Sequence, residues 1–139
     1  MELPRLLPRE GVPLPSRRIL LIDDNDDARG LMGIVLEMHG HQVAEADGGI
    51  AGLAQARAFA PEIVFLDLGM PTMDGYETAV ALRRLPAMEK LWIVALSGWS
   101  DKTTLARAQQ AGFDYHMTKP ADMPRIDNFL LGDWTRLGR

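Results

Sequence analysis

The sequence predicts an α/β fold: a parallel β-sheet covered by helices on both faces. Three observations carry the prediction. Apolar runs of strand length alternate along the chain with segments of helical period. The runs Ile19-Leu20-Leu21-Ile22 and Ile63-Val64-Phe65-Leu66 are apolar without interruption, the pattern of strands buried on both faces. The chain has 139 residues, a length that suits one domain with one core.

The elements follow in order. Residues 1–16 hold Pro4, Pro8, Pro13 and Pro15, a density that disfavours helix and central strand, so this segment is read as an arm or linker. Arg18 to Ile22 is the first strand. Ala28, Leu31, Val35 and Met38 recur at helical spacing and predict a helical face, closed by His39-Gly40 with glycine as the left-handed cap. Gln42 to Ala46 is the second strand. Ile50 to Phe59 is a helix patterned by Leu53, Ala54 and Ala58, stopped by Pro61. Glu62 to Asp67 is the third strand. Pro71 to Gly75 is a turn cluster, and Tyr76 to Leu85 a helix. Leu91 to Leu96 is the fourth strand, Asp101 to Ala111 a helix closed by Gly112, and Tyr115 to Thr118 a short fifth strand. Ile126, Phe129 and Leu130 mark a last helix with Pro124 in its first turn, where proline is tolerated. The domain is thus expected at 17–131, with a tail at 132–139.

Composition narrows the function classes. A net charge of −4 argues against a phosphate-backbone binder, which needs a basic surface. There is no cysteine, which excludes disulfides, thiolate metal sites and thiol nucleophiles. No apolar stretch approaches the ~20 residues of a membrane span, and Pro4 and Pro8 interrupt Leu6-Leu7 too early for a signal-peptide core. A cytoplasmic setting without nucleic acid or membrane is expected.

In open parallel sheets the functional crevice lies beyond the carboxyl ends of the strands. Asp23-Asp24 ends the first strand, Asp67 the third; Ser97 follows the fourth and Lys119 the fifth. Like charges held close are costly unless a cation joins them or a proton stays on. Carboxylates with a backbone carbonyl and waters make an oxygen-rich site suited to Mg²⁺. Lys119 adds a compact charge that pairs with an anion, and Ser97 a hydroxyl donor. An aspartate nucleophile, a divalent metal, a lysine and a hydroxyl are the parts of phosphoryl transfer onto a carboxylate. Taken singly, the other polar residues read as structure: His39 near a helix C-terminus answers the dipole, His41 is expected at the surface, Trp92 packs, Trp134 with Leu137 caps the core, and most of the eight Met residues fill the core.

Four stretches carry a resemblance: Leu20-Leu21-Ile22-Asp23-Asp24-Asn25, Phe65 through Gly75, Ala95-Leu96-Ser97-Gly98, and Ala111-Gly112-Phe113-Asp114 through Lys119-Pro120. In this order the chain, from about Arg17 to Leu131, resembles the receiver domain of two-component response regulators, in wording closest to receivers of hybrid histidine kinases. The resemblance implies a flavodoxin-like doubly wound five-stranded sheet of order 2-1-3-4-5. It implies Asp67 as phosphoacceptor, Asp24 as direct Mg²⁺ ligand, Asp23 acting largely through water, and a Gly69 carbonyl on the metal. It implies Ser97 as the switch hydroxyl, Lys119 as the phosphoryl contact and a cis bond before Pro120. Where the family often has a switch Tyr or Phe, this chain has His116, with Tyr115 just before it, so the rotation that reports phosphorylation is expected to involve an imidazole. Trp99, two residues beyond Ser97, is large enough to limit water at the site. The implied partners are a histidine kinase or histidine phosphotransfer protein, and a downstream docking protein or second copy at the face of the fourth helix, fifth strand and fifth helix. The implied role is regulatory, not enzymatic. The alternatives are a degenerate receiver that binds constitutively and a phosphohydrolase of haloacid dehalogenase type; Gly69 stands where the latter carries its second acid.

Overall fold

The computed structural model describes residues 16–99 and 101–131. All of the expected arm except Ser16, and the tail at 132–139 with Trp134 and Leu137, lie outside the described residues. The elements run β1 (Arg18–Ile22), α1 (Asp26–Met38), β2 (Gln42–Ala46), α2 (Gly49–Phe59), β3 (Ile63–Asp67), α3 (Gly75–Arg83), β4 (Trp92–Ser97), α4 (Lys102–Ala111), β5 (Tyr115–Thr118) and α5 (Met123–Leu131). The five strands are parallel in the order β2-β1-β3-β4-β5, the expected doubly wound sheet.

Successive side chains on a strand point to opposite faces, and this sorts the core into two layers. Leu20, Ile22, Val64, Leu66, Ile93 and Ala95 face one way, against Ala56 of α2, Ala79 and Leu82 of α3 and Ala108 of α4. Ile19, Leu21, Ile63, Phe65, Val94 and Leu96 face the other way, against Leu36 of α1 and Ile126, Phe129 and Leu130 of α5. Both faces of the central strands are therefore covered, which is why they carry no polar alternation.

Side-chain caps set the starts of α1, α3 and α4. Asn25 Oδ1 accepts from Ala28 N at 3.0 Å, Asp74 and Glu77 form a reciprocal capping box, and Asp101 receives Thr104 N. Gly40 and Gly112 supply the left-handed backbone after α1 and α4, at φ of 96° and 103°.

The helical faces correct the sequence reading. The period of α1 is as expected, but Gly33 and Leu36 form its buried face. Leu31 and Met38 are 64% and 77% exposed. A Cβ on Gly33 would stand 2.9 Å from a Glu45 carboxylate oxygen, so the helix rolls its smallest residue onto β2. In α2 the buried residues are Gly49, Gly52 and Ala56, with Ala54 and Ala58 exposed. A Cβ on Gly52 would meet Ile22 Cδ1 at 2.5 Å: close approach to the sheet selects the glycines, not the larger apolar residues. His41 is buried rather than superficial, because its Nδ1 accepts the Arg17 N–H at 3.1 Å at the start of β1. His39 does close α1, and its Nδ1 also lies 2.9 Å from Asp127 Oδ1 on α5. Trp92 packs edge-on against Phe129, as expected of a core aromatic.

A polar rivet closes the end of the sheet opposite the strands' carboxyl termini. Arg83 at the end of α3 donates to Gly112 O and Leu91 O and pairs with Asp114, whose Oδ2 also accepts from Ile93 N at 2.9 Å. Asp114 is buried, so removing the guanidinium leaves a buried carboxylate short of its counter-charge. Arg83→Ala is expected to lower unfolding free energy by ~3–5 kcal/mol, read from urea denaturation.

Burial holds the His41 imidazole below its usual range; the Asp127 charge offsets part of this, and His39 and Arg17 add to it. The folded chain then binds fewer protons than the unfolded chain between the lowered value and about 6.5, so stability falls as pH drops through that window. His41→Asn, which keeps an acceptor for Arg17 N–H without titrating, is expected to show a smaller loss of urea midpoint between about pH 7.5 and pH 5.

Candidate functional site

Register brings four chain segments to one edge. Asp67, the last residue of β3, stands opposite Leu96, so Ser97 lies one step further along β4. Ser97 stands opposite Thr118, so Lys119 lies one step beyond β5. Asp23 and Asp24 follow directly on β1. The crevice is thus a consequence of strand length and parallel register, not of loop folding.

The carboxylates of Asp23, Asp24 and Asp67 lie within 4.8 Å of one another. Asp23 and Asp67 are buried and Asp24 is exposed. Lys119 Nζ bridges the two buried acids, at 3.1 Å from Asp23 Oδ2 and 3.3 Å from Asp67 Oδ1. Backbone donors add one hydrogen bond to each buried acid: Asn25 N donates to Asp23 Oδ1 at 2.9 Å, and Gly69 N donates at 3.1 Å to Asp67 Oδ1, the oxygen that Lys119 also meets. Ser97 is buried, its Oγ accepts from Trp99 N at 3.0 Å, and its carbonyl accepts from Lys119 N at 2.7 Å. The Lys119–Pro120 bond is cis.

Burial pushes the Asp67 carboxyl above its ordinary range; Gly69 N–H and the Lys119 charge pull it down, and the Asp23 charge pushes it up. Burial pulls Lys119 down, but its hydrogen bond to Asp23 and the charges of Asp67 and Asp23 outweigh this and leave it above its ordinary value. The site therefore carries more negative charge than it neutralises well, and one ammonium serves two acids. Three hard carboxylate donors around one point, with the Gly69 segment beside Asp67, fit a small divalent cation such as Mg²⁺ that retains waters.

Two of the sequence-predicted residues stand apart from the acids. The Trp99 side chain is 73% exposed, so it projects into solvent rather than closing over the carboxylates. His116 is half-buried on β5, opposite Ala95 of β4. His39 and His41 do not join into a metal site: among the described residues the acidic trio is the grouping that meets that geometry.

Sequence reasoning missed two supports. Arg29 on α1 donates to Asp23 O at 2.6 Å and pairs with Glu45 at 2.9 Å and Asp26 at 2.8 Å, which fixes the peptide between the paired acids. Its place one helical turn after Asn25 was the available signal. Asp74-Gly75 is expected as a turn and helix start, with no tie to the acid. A Cβ on Gly75 would sit 2.4 Å from Asp67 O, so α3 starts in direct contact with the backbone of the central acid.

With this geometry established, the comparisons agree with one another. The family model described as response regulator receiver domain matches residues 19–130. An uncharacterized 14.6 kDa protein of Leptolyngbya boryana is 34% identical over 109 residues, spanning 78% of this chain and 83% of its own. The CAI-1 autoinducer sensor kinase/phosphatase CqsS of Vibrio cholerae is 33% identical over 119 residues, covering 82% of this chain but 17% of that protein. Among solved structures, the chemotaxis protein CheY4 of Vibrio cholerae superposes with a TM-score of 0.75 at 24% identity, over 79% of this chain and 91% of its own, a likeness of fold. No helix among the described residues is long and apolar enough to cross a membrane. The fold, the acid-bearing strand ends and the match across nearly all of the described residues lead to one conclusion: this chain belongs to the response regulator receiver domain family of two-component signalling.

Proposed function

We propose that the chain is a phosphorylation-dependent switch. It accepts a phosphoryl group on Asp67 from the phosphohistidine of a histidine kinase or histidine phosphotransfer protein, in a Mg²⁺-dependent reaction in the cytoplasm. The observation that supports this best is the meeting of three carboxylates within 4.8 Å beside Lys119, on segments drawn from three strands. The relation to a sensor kinase/phosphatase that carries a matching segment supports a kinase as partner.

In this reading an Asp67 oxygen attacks phosphorus in line with the donor's P–N bond. The P–O bond forms as P–N breaks, and the leaving imidazole retains the electron pair. Mg²⁺, when bound by Asp23, Asp24, Asp67 and the Gly69 carbonyl, neutralises charge on the transferring group. Lys119 exchanges its contact with Asp67 for a phosphoryl oxygen, and the Ser97 hydroxyl donates to another. The added charge shifts a two-state surface on α4, β5 and α5, read out by partner docking, self-association or onward transfer. With Gly69 two residues after Asp67 there is no second acid to speed hydrolysis, which favours a held phosphoryl group over turnover.

Incubation with a small phosphodonor and Mg²⁺ is expected to add a single phosphoryl mass, absent in Asp67→Asn and with chelator present. An unmodified mass with every donor, together with no Mg²⁺ binding, would leave a receiver that acts as a constitutive binding module.

Lys119→Gln is expected to raise the cost of holding Asp23 beside Asp67 without metal. Lys119 is about a third exposed, so screening reduces the fully buried value to about 1–2 kcal/mol of lost stability. Added Mg²⁺ should then raise the melting temperature more in this variant than in the parent chain, measured by calorimetry.

A further inference from the structure

We propose that the arm before β1 is an internal ligand of the domain: its apolar pair Leu6-Leu7 seats in a cleft between α1 and α5, and the flanking Arg5 and Arg9 bring positive charge to the acids. The cleft has a volume of about 590 Å³. Leu31, Met32 and Val35 of α1, Phe65 of β3 and Met123 of α5 give it apolar walls. Asp23 and Lys119 also line it, so it joins the acidic crevice at its head. An apolar cavity of this size with a few charged groups at one end suits a ligand that is apolar in the body and charged at its edge.

The arm lies outside the described residues, and the described ones say where it enters and how far it must reach. Arg17 N donates to His41 Nδ1 at 3.1 Å, just past α1, and Arg17 Nη2 donates to Leu130 O at 3.4 Å, at the end of α5. The arm therefore joins the domain at the foot of the α1–α5 seam, and the cleft lies at the head of the same seam. Between them the exposed Leu31, Ile34 and Met38 recur at three- and four-residue spacing along α1, an apolar track from foot to head. β1 rises about 17 Å over its five residues, and the ten residues from Leu6 to Ser16 span at most about 33–36 Å. That reach covers the distance with slack for the curved surface of α1.

Charge points to the same occupant. From Leu3 to Arg9 the arm carries two arginines and no acid. At the head of the seam three carboxylates meet one ammonium, Lys119 being shared between Asp23 and Asp67, and the exposed Asp24 has no ion-pair partner among the described residues. Cations brought beside these acids ease their repulsion, while the leucines cover apolar surface that water otherwise meets. Tethering puts the segment at an effective concentration on the order of millimolar, so individually weak contacts hold it. A second copy of the chain offers the same segment without that advantage. Seated in this way, the arm stands in the path of a protein donor that approaches Asp67, a consequence that rests on the proposed function.

The chain has no cysteine, so a nitroxide on Pro4→Cys reports from one position. In the unphosphorylated full chain, the amide NMR signals of Ala28, Leu31 and Ala121 at the head of the seam are expected to lose intensity selectively, while Lys90, just before β4 at the opposite end of the sheet, keeps its own. Adding Leu6→Ser and Leu7→Ser should abolish the selective loss, and adding Arg5→Gln and Arg9→Gln should weaken it. Loss that is absent, or equal at Lys90, overturns the proposal, as does loss unchanged by either pair of substitutions. Loss in an isotope-labelled parent chain mixed with unenriched spin-labelled chain overturns it in favour of a second copy. Should a substituted arm disturb the fold, the contrast between Leu31 and Lys90 in the Pro4→Cys chain decides the matter. A chain that takes no phosphoryl group yet shows the selective loss gives up the switch reading and keeps the internal ligand; a chain phosphorylated on Asp67 with undiminished signals at Ala28 and Leu31 does the reverse.

Discussion

The rest of the structure depends on a repulsion. Asp23 and Asp67 are buried acids at the ends of adjacent strands, β1 and β3, and a parallel ladder in fixed register leaves them no room to separate. Lys119 answers both, reaching across from β5. The backbone around them is recruited to the same end: Asn25 N and Gly69 N each supply a donor to one acid. Arrangements of this kind are tolerated when a cation or an incoming anion changes the balance, and a single ammonium shared by two carboxylates is easily redistributed.

Stability and responsiveness sit at opposite ends of the sheet. At the amino ends of β4 and β5, Arg83 gathers Leu91, Gly112 and Asp114 into one hydrogen-bonded knot. At the carboxyl ends the ion pairing is shared and exchangeable, one Lys119 ammonium lying between Asp23 and Asp67. The two core layers between them are continuous and apolar, so a change at the rim need not disturb the base.

Strand positions and strand-end chemistry were legible because they depend on local pattern. A buried parallel strand must be apolar, and the residue after it must enter the crevice, so Asp23, Asp67, Ser97 and Lys119 could be placed from the chain alone. Helical phase was less legible. In α1 and α2 the sheet selects Gly33 and Gly52 for close approach, so a pattern based on larger residues places Leu31, Met38, Ala54 and Ala58 on the buried side although they are exposed. The burial of His41 and the role of Arg29 arise from contacts with residues distant in the chain, to Arg17 and to Glu45, and leave no periodic trace.

Gly75 shows what this close packing means for the chain's freedom to vary. Its α-carbon stands where any side chain would strike the Asp67 carbonyl and the Leu68 backbone, at 2.4 and 2.7 Å for a methyl group. The first turn of α3 and the end of β3 are therefore mechanically one body, joined also by Gly75 N donating to Leu68 O at 3.2 Å. A saturation library of this domain would tolerate exchange at the exposed Leu31 or Met38 more readily than at this glycine, and selection would see it as part of the acid it supports although it contributes no functional group.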